Sequence, residues 1–241
     1  ALDLRSPEQI ADHFGGLEFD AVIHCAALTG VDYCEQHPEE ARAVNTAAPA
    51  QIARLCHERG ARLVHVSTDY VYDGRTPGLR KEPDTCAPLG VYARTKHAAE
   101  QAVLAADPAF LVARASWIFG PDRTGFVDAI IQRAQKDPDC GAIADKWSTP
   151  SYSVDQAALL EALVLHPGAG GVVNLGNAGA CSWMEYGQAG LDLALHRPAF
   201  DARGVVQPLV APRQHGDQHK PTRTMSSCQG RDNDALCLLP T

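Results

Sequence analysis

The chain has 241 residues, enough for one sizeable core with a smaller appended lobe. Its hydrophobic content of 45%, charged content of 21% and formal net charge of -8 are ordinary for a globular enzyme, and they exclude the basic footprint of a nucleic-acid or anionic-membrane binder. No apolar run reaches the ~20 residues of a membrane helix and no signal-peptide pattern opens the chain, so the expected compartment is the cytoplasm.

In chain order, Ser6 is a candidate N-cap with Pro7 at the first helical position. Residues 20–26 form a short apolar run that predicts a buried strand. Residues 39–59 are Ala-rich and predict a long helix stopped by Gly60, with Pro49 imposing a break or a fresh start inside it. A second strand is expected over 62–67, a helix of strong helix formers over 92–105, and a third strand over 110–116. Beyond residue 122 the rhythm changes. Helices are expected over 126–135 and 155–165, a fourth strand over 171–175, and a further amphipathic stretch from Ser182. From about Pro212 the pattern is polar and broken, and the tail reads as loop or poorly ordered.

Strands that alternate with helices and read as near-continuous apolar runs predict an α/β fold, a doubly wound, mostly parallel sheet covered by helices on both faces. The expected division is 1–121 for the doubly wound domain, 122–211 for a smaller lobe with some strands returning to the sheet, and 212–241 for a separate tail. The eight cysteines include no C-x-x-C pair and read as small buried hydrophobes. The ten histidines show no ligand-like spacing, so no metal is expected.

The central chemical feature is Tyr92-Ala-Arg-Thr-Lys96. On a helix, positions i and i+4 share a face, so both head groups can reach one cleft. A nearby ammonium favours phenolate and lowers the phenol pKa from near 10 towards the working range. Alone the spacing is common, and two exposed helix residues would produce it equally well. Upstream, Val66-Ser67-Thr68-Asp69-Tyr70 comes at the end of the second strand, where open α/β sheets place their ligands, and its hydroxyls are suited to orienting a carbonyl. The competing explanation is turn chemistry, which also favours Ser, Thr and Asp. Cys25-Ala-Ala-Leu-Thr29 follows the first strand, and its small side chains permit close approach of a cofactor or, more blandly, tight packing.

The motifs His24-Cys-Ala-Ala-Leu-Thr-Gly-Val-Asp32, Val44-Asn45, Ser67-Thr-Asp-Tyr-Val-Tyr-Asp-Gly74, Pro88-Leu-Gly-Val-Tyr-Ala-Arg-Thr-Lys96 and Arg114-Ala-Ser-Trp-Ile-Phe-Gly120 follow one another in family order. Together they resemble the extended short-chain dehydrogenase/reductases, and most closely the dTDP-4-dehydrorhamnose reductase family, over residues 1 to about 195. The resemblance implies a Rossmann-like fold, NADPH or NADH as cofactor, and a nucleotide sugar as substrate. It implies that Tyr92 protonates the C4 oxygen of the keto-sugar and that Lys96 holds the nicotinamide ribose and lowers the tyrosine pKa. Thr68 and Asp69 would contact the sugar and align its carbonyl, and Trp117 would pack against it, an ordinary core aromatic being the alternative. Ala26, Ala27, Leu28, Thr29 and Val66 would line the cofactor cleft, with Asn45 steadying the geometry beside it. Asp3 and Leu4 would sit near the adenine. A homodimer is compatible with this reading, and no nucleic acid or membrane partner is implied.

The family opens with a strand, a Gly-x-x-Gly-x-x-Gly turn and a helix whose N-terminus holds pyrophosphate. This chain begins at Ala1-Leu-Asp-Leu-Arg-Ser, which resembles the stretch after the family's second strand. The expectation is therefore an N-terminally truncated sheet with a weak grip on dinucleotide and an exposed edge. Lys146-Trp-Ser-Thr-Pro-Ser-Tyr152 and Thr124-Gly125 depart from the family pattern and leave the nucleotide open. Two other readings stand beside reduction of dTDP-4-dehydrorhamnose to dTDP-L-rhamnose. One is a different nucleotide-sugar reductase or epimerase. The other is a non-catalytic NADP-binding regulatory subunit like that of methionine adenosyltransferase, which lacks the aromatic that Trp117 supplies.

Overall fold

The computed structural model describes residues 2–76, 78–137, 140–195, 207–209 and 222–223. The chain divides into two compact units, the first comprising Ala1–Asp73, Glu82–Ala115 and Ala157–Leu175, the second Gly74–Lys81, Ser116–Gln156 and Gly176–Thr241.

The first unit is built on four parallel strands, β1 (Ala21–His24), β2 (Arg62–Thr68), β3 (Leu111–Ala115) and β4 (Gly171–Leu175), hydrogen-bonded in that order. Between β1 and β2 run α2 (Val31–Gln36), α3 (Pro38–Arg42) and α4 (Ala48–Glu58), preceded by α1 (Pro7–Gly15) at the start of the chain. Helix α5 (Gly90–Ala106) links β2 to β3. Because side chains alternate along a strand, neighbouring residues of β2 and β3 enter different cores. Leu63 and Val112 pack with Ile10, Phe14, Ile52, Cys56 and Val103 from α1, α4 and α5. Val64, Leu111 and Ala113 pack instead with Leu160 and Val164 of a helix over Ser153–Leu165. The sheet is thus covered on both faces, which is why its strands read as continuous apolar runs. All five residues of β3 are buried, whereas β1 lies at the edge, with Ile23 40% exposed.

Local signals account for the boundaries. Ser6 caps α1 by accepting the Gln9 amide at 3.3 Å, with Pro7 at its first position. Gly60 stops the helical run with φ +67, a conformation glycine adopts without penalty. The predicted helix over 39–59 is divided by one π-helical stretch, Ala43–Ala47, in which the Ala48 amide bonds back five residues to Ala43. Pro49 explains it: lacking an N–H, it cannot continue the i to i−4 ladder, and the preceding turn widens. Strand β2 runs one residue further than expected, so Ser67 and Thr68 belong to the strand itself and pair in register with Arg114 and Ala115.

Helix α5 starts without a side-chain cap from its own flank. The Val91 amide donates instead to the Glu35 carboxylate of α2, a negative charge placed where a helix N-terminus favours it. Gly90, with φ +74, makes this approach possible, since a Cβ there would sit 2.7 Å from the Glu35 oxygen. Gly90→Ala is expected to cost about 1–2 kcal/mol from backbone strain and to displace the cap, measured as a lower urea midpoint.

In the second unit, Phe126–Ala134 and Trp183–Leu195 pack around Ile130, Ala134, Cys140, Ala142 and Leu191. Short two-stranded pairs complete it, including Ile118–Phe119 with Ser151–Tyr152 and Gly78–Leu79 with Thr222–Arg223. Apart from Thr222–Arg223, the expectation for the tail over 212–241 falls outside the described residues. Among the described residues no helix is long and apolar enough to cross a membrane.

Candidate active site

The C-terminal end of β2 and the first turns of α5 bring Thr68, Asp69, Tyr70, Tyr92 and Lys96 into one group of the first unit. Thr68 Oγ1 accepts the Tyr70 amide at 3.2 Å and donates to Asp69 Oδ1 at 3.3 Å, which fixes the single-turn helix Asp69–Val71. The half-buried Tyr92 phenol is hydrogen-bonded to the Thr68 side chain, and its ring meets Tyr70 edge-on at 6.0 Å. Burial pushes the Tyr92 pKa up to about 12; the Thr68 bond opposes the rise, and the charges of Asp69 and Cys34 add to it.

Tyr92 and Lys96 share the i, i+4 face, but the lysine is turned back onto β2. Its Nζ donates to the Val66 carbonyl at 2.7 Å and lies 3.2 Å from His65 Nε2, leaving the residue 2% exposed. Burial lowers its pKa to about 8, against the opposing charges of Glu100 and Cys25.

Behind Lys96 is a pair that spacing alone did not assign a role. His24 of β1 and His65 of β2 are register partners, stacked at 17° with centroids 5.2 Å apart, and their Nδ1 atoms are 3.0 Å apart. Burial, and secondarily Lys96, lowers the His24 pKa to about 4; the same two causes and His24 itself hold His65 well below its usual value. Both histidines are therefore neutral at neutral pH. The folded pKa of His24 is depressed below the ordinary 6.5, so its contribution to stability is complete above about 6.5 and is lost as pH falls through about 4. The loss is on the order of 3 kcal/mol. The urea midpoint is expected to drop as pH falls from about 6.5 to about 4, with a shallower drop in His24→Asn. Parallel profiles for the two proteins would assign the acid sensitivity elsewhere.

Asn45, fully buried in the π-helical stretch, clamps the loop after β1. Its Oδ1 accepts the Leu28 amide at 2.8 Å, and its Nδ2 donates to the Leu28 carbonyl at 3.0 Å and to Thr95 Oγ1 of α5 at 3.4 Å. Thr46 Oγ1 adds a bond to the Thr95 carbonyl at 2.8 Å. The widened turn thus ties the Ala26–Ala27–Leu28–Thr29 loop to the helix carrying Tyr92. Ala26 and Thr29 are exposed, and Ala27 and Leu28 are half-buried.

Asp3 and Leu4 stand apart from this group. The Asp3 carboxylate is bound by Arg5 at 2.9 Å, which lowers its pKa to about 2, and Leu4 packs against the core of α1 and α4. No hydrogen bond ties either residue to Thr68 or Tyr92. Trp117 belongs to the second unit. It stacks on Trp183 at 4.9 Å and 16°, meets Tyr186 edge-on at 4.7 Å, and lies 5.3 Å from Phe126. Its φ of +34 is the one positive value at a non-glycine among the described residues, a strain of the kind that collects at functional sites.

Cys86, His97 and Glu100 bring their ligand atoms within 4.8 Å of one another. The charge there is already matched. Arg114 donates to both Glu100 oxygens, at 2.7 Å from Nη2 and 3.0 Å from Nε, and to Cys86 Sγ at 3.1 Å. Its Nη1 also donates to Tyr72 OH at 2.9 Å, which in turn donates to Asn174 Oδ1 at 2.8 Å. This is a buried ion pair supporting α5 from the sheet.

The profile of the family described as RmlD substrate binding domain matches residues 1–227. The dTDP-4-dehydrorhamnose reductase of Mycobacterium tuberculosis is 40% identical over 198 residues, which are 80% of this chain and 62% of that protein, so the chain spans less than two thirds of that relative. A dTDP-4-dehydrorhamnose reductase of Bacillus anthracis, solved in complex with NADP, is 28% identical with a TM-score of 0.80, over 87% of this chain and 72% of that one. The corresponding Yersinia enterocolitica structure is 26% identical with a TM-score of 0.81, over 97% of this chain and 82% of that one. A match that runs to residue 227 of 241, on an α/β fold shared with these solved structures, makes the chain a member of the RmlD substrate binding domain family.

Proposed function

We propose that the chain carries the proton-delivering part of an NAD(P)H-dependent reductase acting on the C4 ketone of a dTDP-4-dehydro-6-deoxy sugar, dTDP-4-dehydrorhamnose giving dTDP-L-rhamnose. The observation that carries this reading is the Tyr92 phenol at the C-terminal end of a central parallel strand, the place where such sheets hold ligands. Reduction of a ketone needs an acid at the carbonyl oxygen. A phenol whose pKa is pushed up to about 12 keeps its proton at neutral pH until an alkoxide, a much stronger base, develops beside it. The Thr68 hydrogen bond holds the phenol oxygen in place, and Thr68 with Asp69 would align the sugar carbonyl. The relatives named above, reductases of this sugar, support the same substrate class.

The residues present fit the nicotinamide end of the cofactor. Lys96 commits two of its three N–H donors, to Val66 and His65, leaving one for a ribose hydroxyl. Ser67 Oγ is buried without a hydrogen-bond partner at the same strand end. Ala26, Ala27, Leu28 and Thr29, held by Asn45, would line the cleft beside them, and Asp3 and Leu4 would lie towards the adenine. When bound, the nicotinamide supplies the hydride that reaches C4. In the second unit, the aromatic cluster and strained backbone of Trp117 support its assignment to sugar contact. The reading needs a nucleotide sugar and NADH or NADPH; it needs no nucleic acid and no membrane, and it is compatible with a homodimer. Such biosynthetic chemistry belongs in the cytoplasm.

The test is NAD(P)H oxidation in the presence of dTDP-4-dehydrorhamnose, by the chain itself and by the chain extended with a family glycine-rich segment. Turnover that depends on Tyr92 supports the reading. Nicotinamide-dependent binding to a protein partner without turnover would favour a regulatory subunit.

A further inference from the structure

We propose that His65 is the positioning residue of Lys96, and that the stacked His65–His24 pair forms a hydrogen-bond chain whose polarity is set by the charge on the lysine. An ammonium can only donate, so with Lys96 charged the His65 Nε2 atom, 3.2 Å away, must present its lone pair. A neutral imidazole then carries its proton on Nδ1. That atom is 3.0 Å from His24 Nδ1, which must accept, leaving the His24 proton on Nε2. One charge therefore fixes the tautomers of two residues on two strands. His24 Nε2 is buried without a hydrogen-bond partner, so the chain ends there.

Loss of the lysine proton leaves an amine with two N–H groups, enough for Val66 and His65, so the same tautomers persist but the charge that enforces them is gone. The charged and titratable groups acting on this chain are Glu100 of α5 and Cys25 after β1 on Lys96, Lys96 and His24 on His65, and Lys96 on His24. Neutral histidines and a lysine with a midpoint near 8 are what the ordering requires. The role assigned to His65 rests on the reading of Tyr92 and Lys96 as the catalytic pair; the tautomer chain does not.

Long-range 1H–15N correlation spectra of histidine-labelled chain report both tautomers directly. At about pH 6.5 to 7, His65 is expected as Nδ1–H and His24 as Nε2–H, the tautomers that the charged lysine enforces. His65 found as Nε2–H at that pH, or either histidine titrating near its free value, overturns the proposal. For the positioning role, the Lys96 midpoint is followed in the variants. His65→Leu removes the acceptor and is expected to move that midpoint down by about one unit, whereas His65→Gln, which retains an acceptor, leaves it near the wild-type value. Equal midpoints in all three proteins would reduce His65 to packing. The two readings fail separately: correct tautomers with turnover unaffected by Tyr92→Phe sinks the reaction alone, and wrong tautomers with turnover lost in Tyr92→Phe sinks the histidine chain alone.

Discussion

Tyr92→Phe is expected to lower the rate of dTDP-4-dehydrorhamnose reduction by about a hundred- to ten-thousand-fold, the usual contribution of a positioned general acid. The substitution removes one oxygen and leaves the ring, so the edge-on contact with Tyr70 and the packing of α5 persist. Only the hydrogen bond to Thr68 is lost, and the partner it leaves still accepts the Tyr70 amide and donates to Asp69. The fall should therefore appear in kcat and kcat/KM together, with the urea midpoint nearly unchanged. Thr68→Val is the companion measurement. It deletes the hydroxyl that orients the phenol, and a smaller loss is expected because the acid itself remains. Undiminished turnover in Tyr92→Phe would remove the tyrosine from the mechanism.

The second large effect concerns stability. Arg114→Met leaves Glu100, 2% exposed, as a buried carboxylate without the guanidinium that donates to both its oxygens, with His97 at 3.4 Å and the charge of Lys96 remaining. Breaking such a pair from one side costs about 3–5 kcal/mol, because the remaining charge stays buried without its hydrogen-bonded counter-ion. Denaturant unfolding should show a loss of that order. The double variant Arg114→Met/Glu100→Leu should recover part of it, since an apolar pair needs no desolvation. Full recovery is not expected. Arg114 also serves the Tyr72 hydroxyl, which an apolar residue cannot replace. A single-variant cost near zero would mean that Glu100 takes up a proton or reaches solvent once the guanidinium is removed.

The parts of the fold that were legible in the sequence are those whose signal is local. Leu63 and Val64, or Leu111 and Val112, sit back to back in two different cores, and a strand buried on both faces can only read as an apolar run. Ser6, Pro7 and Gly60 mark helix ends through their own backbone chemistry, and the structure puts those ends where the residues indicate. The candidate site was legible as far as the helix face and strand end that bring Tyr92 and Thr68 together.

What the sequence hid depends on partners far apart along the chain. The spacing of Tyr92 and Lys96 gives a shared face but not the direction of a flexible four-carbon side chain. The Val66 carbonyl and His65, thirty residues upstream, take that side chain for themselves. His24 and His65 look like isolated polar residues within apolar strands until register makes them neighbours. Two arginines in strands, Arg62 and Arg114, look alike in sequence. One reaches backbone carbonyls at the start of its strand, at 2.9 Å from Ala169, whereas the other is buried against Glu100. The two-residue strand pairs of the second unit carry no periodicity of their own and arise only from tertiary contact.

The π-helical stretch over Ala43–Ala47 has a consequence for how the chain tolerates changes in length. An α-helix turns about 100° per residue, and here one extra residue is absorbed in a single wide turn ahead of Pro49. Deleting any one residue of that stretch would let the backbone relax to a regular helix, at little cost in helical stability. Because the wide turn absorbs the extra residue, the segments before and after it would keep their mutual phase, while the positions inside the turn would shift relative to both. Asn45 and Thr46 could then no longer serve Leu28 and Thr95 at once, although every residue of the Tyr92 group would be unchanged. A length change harmless to the helix would act on the site by removing the wide turn that aims Asn45 and Thr46.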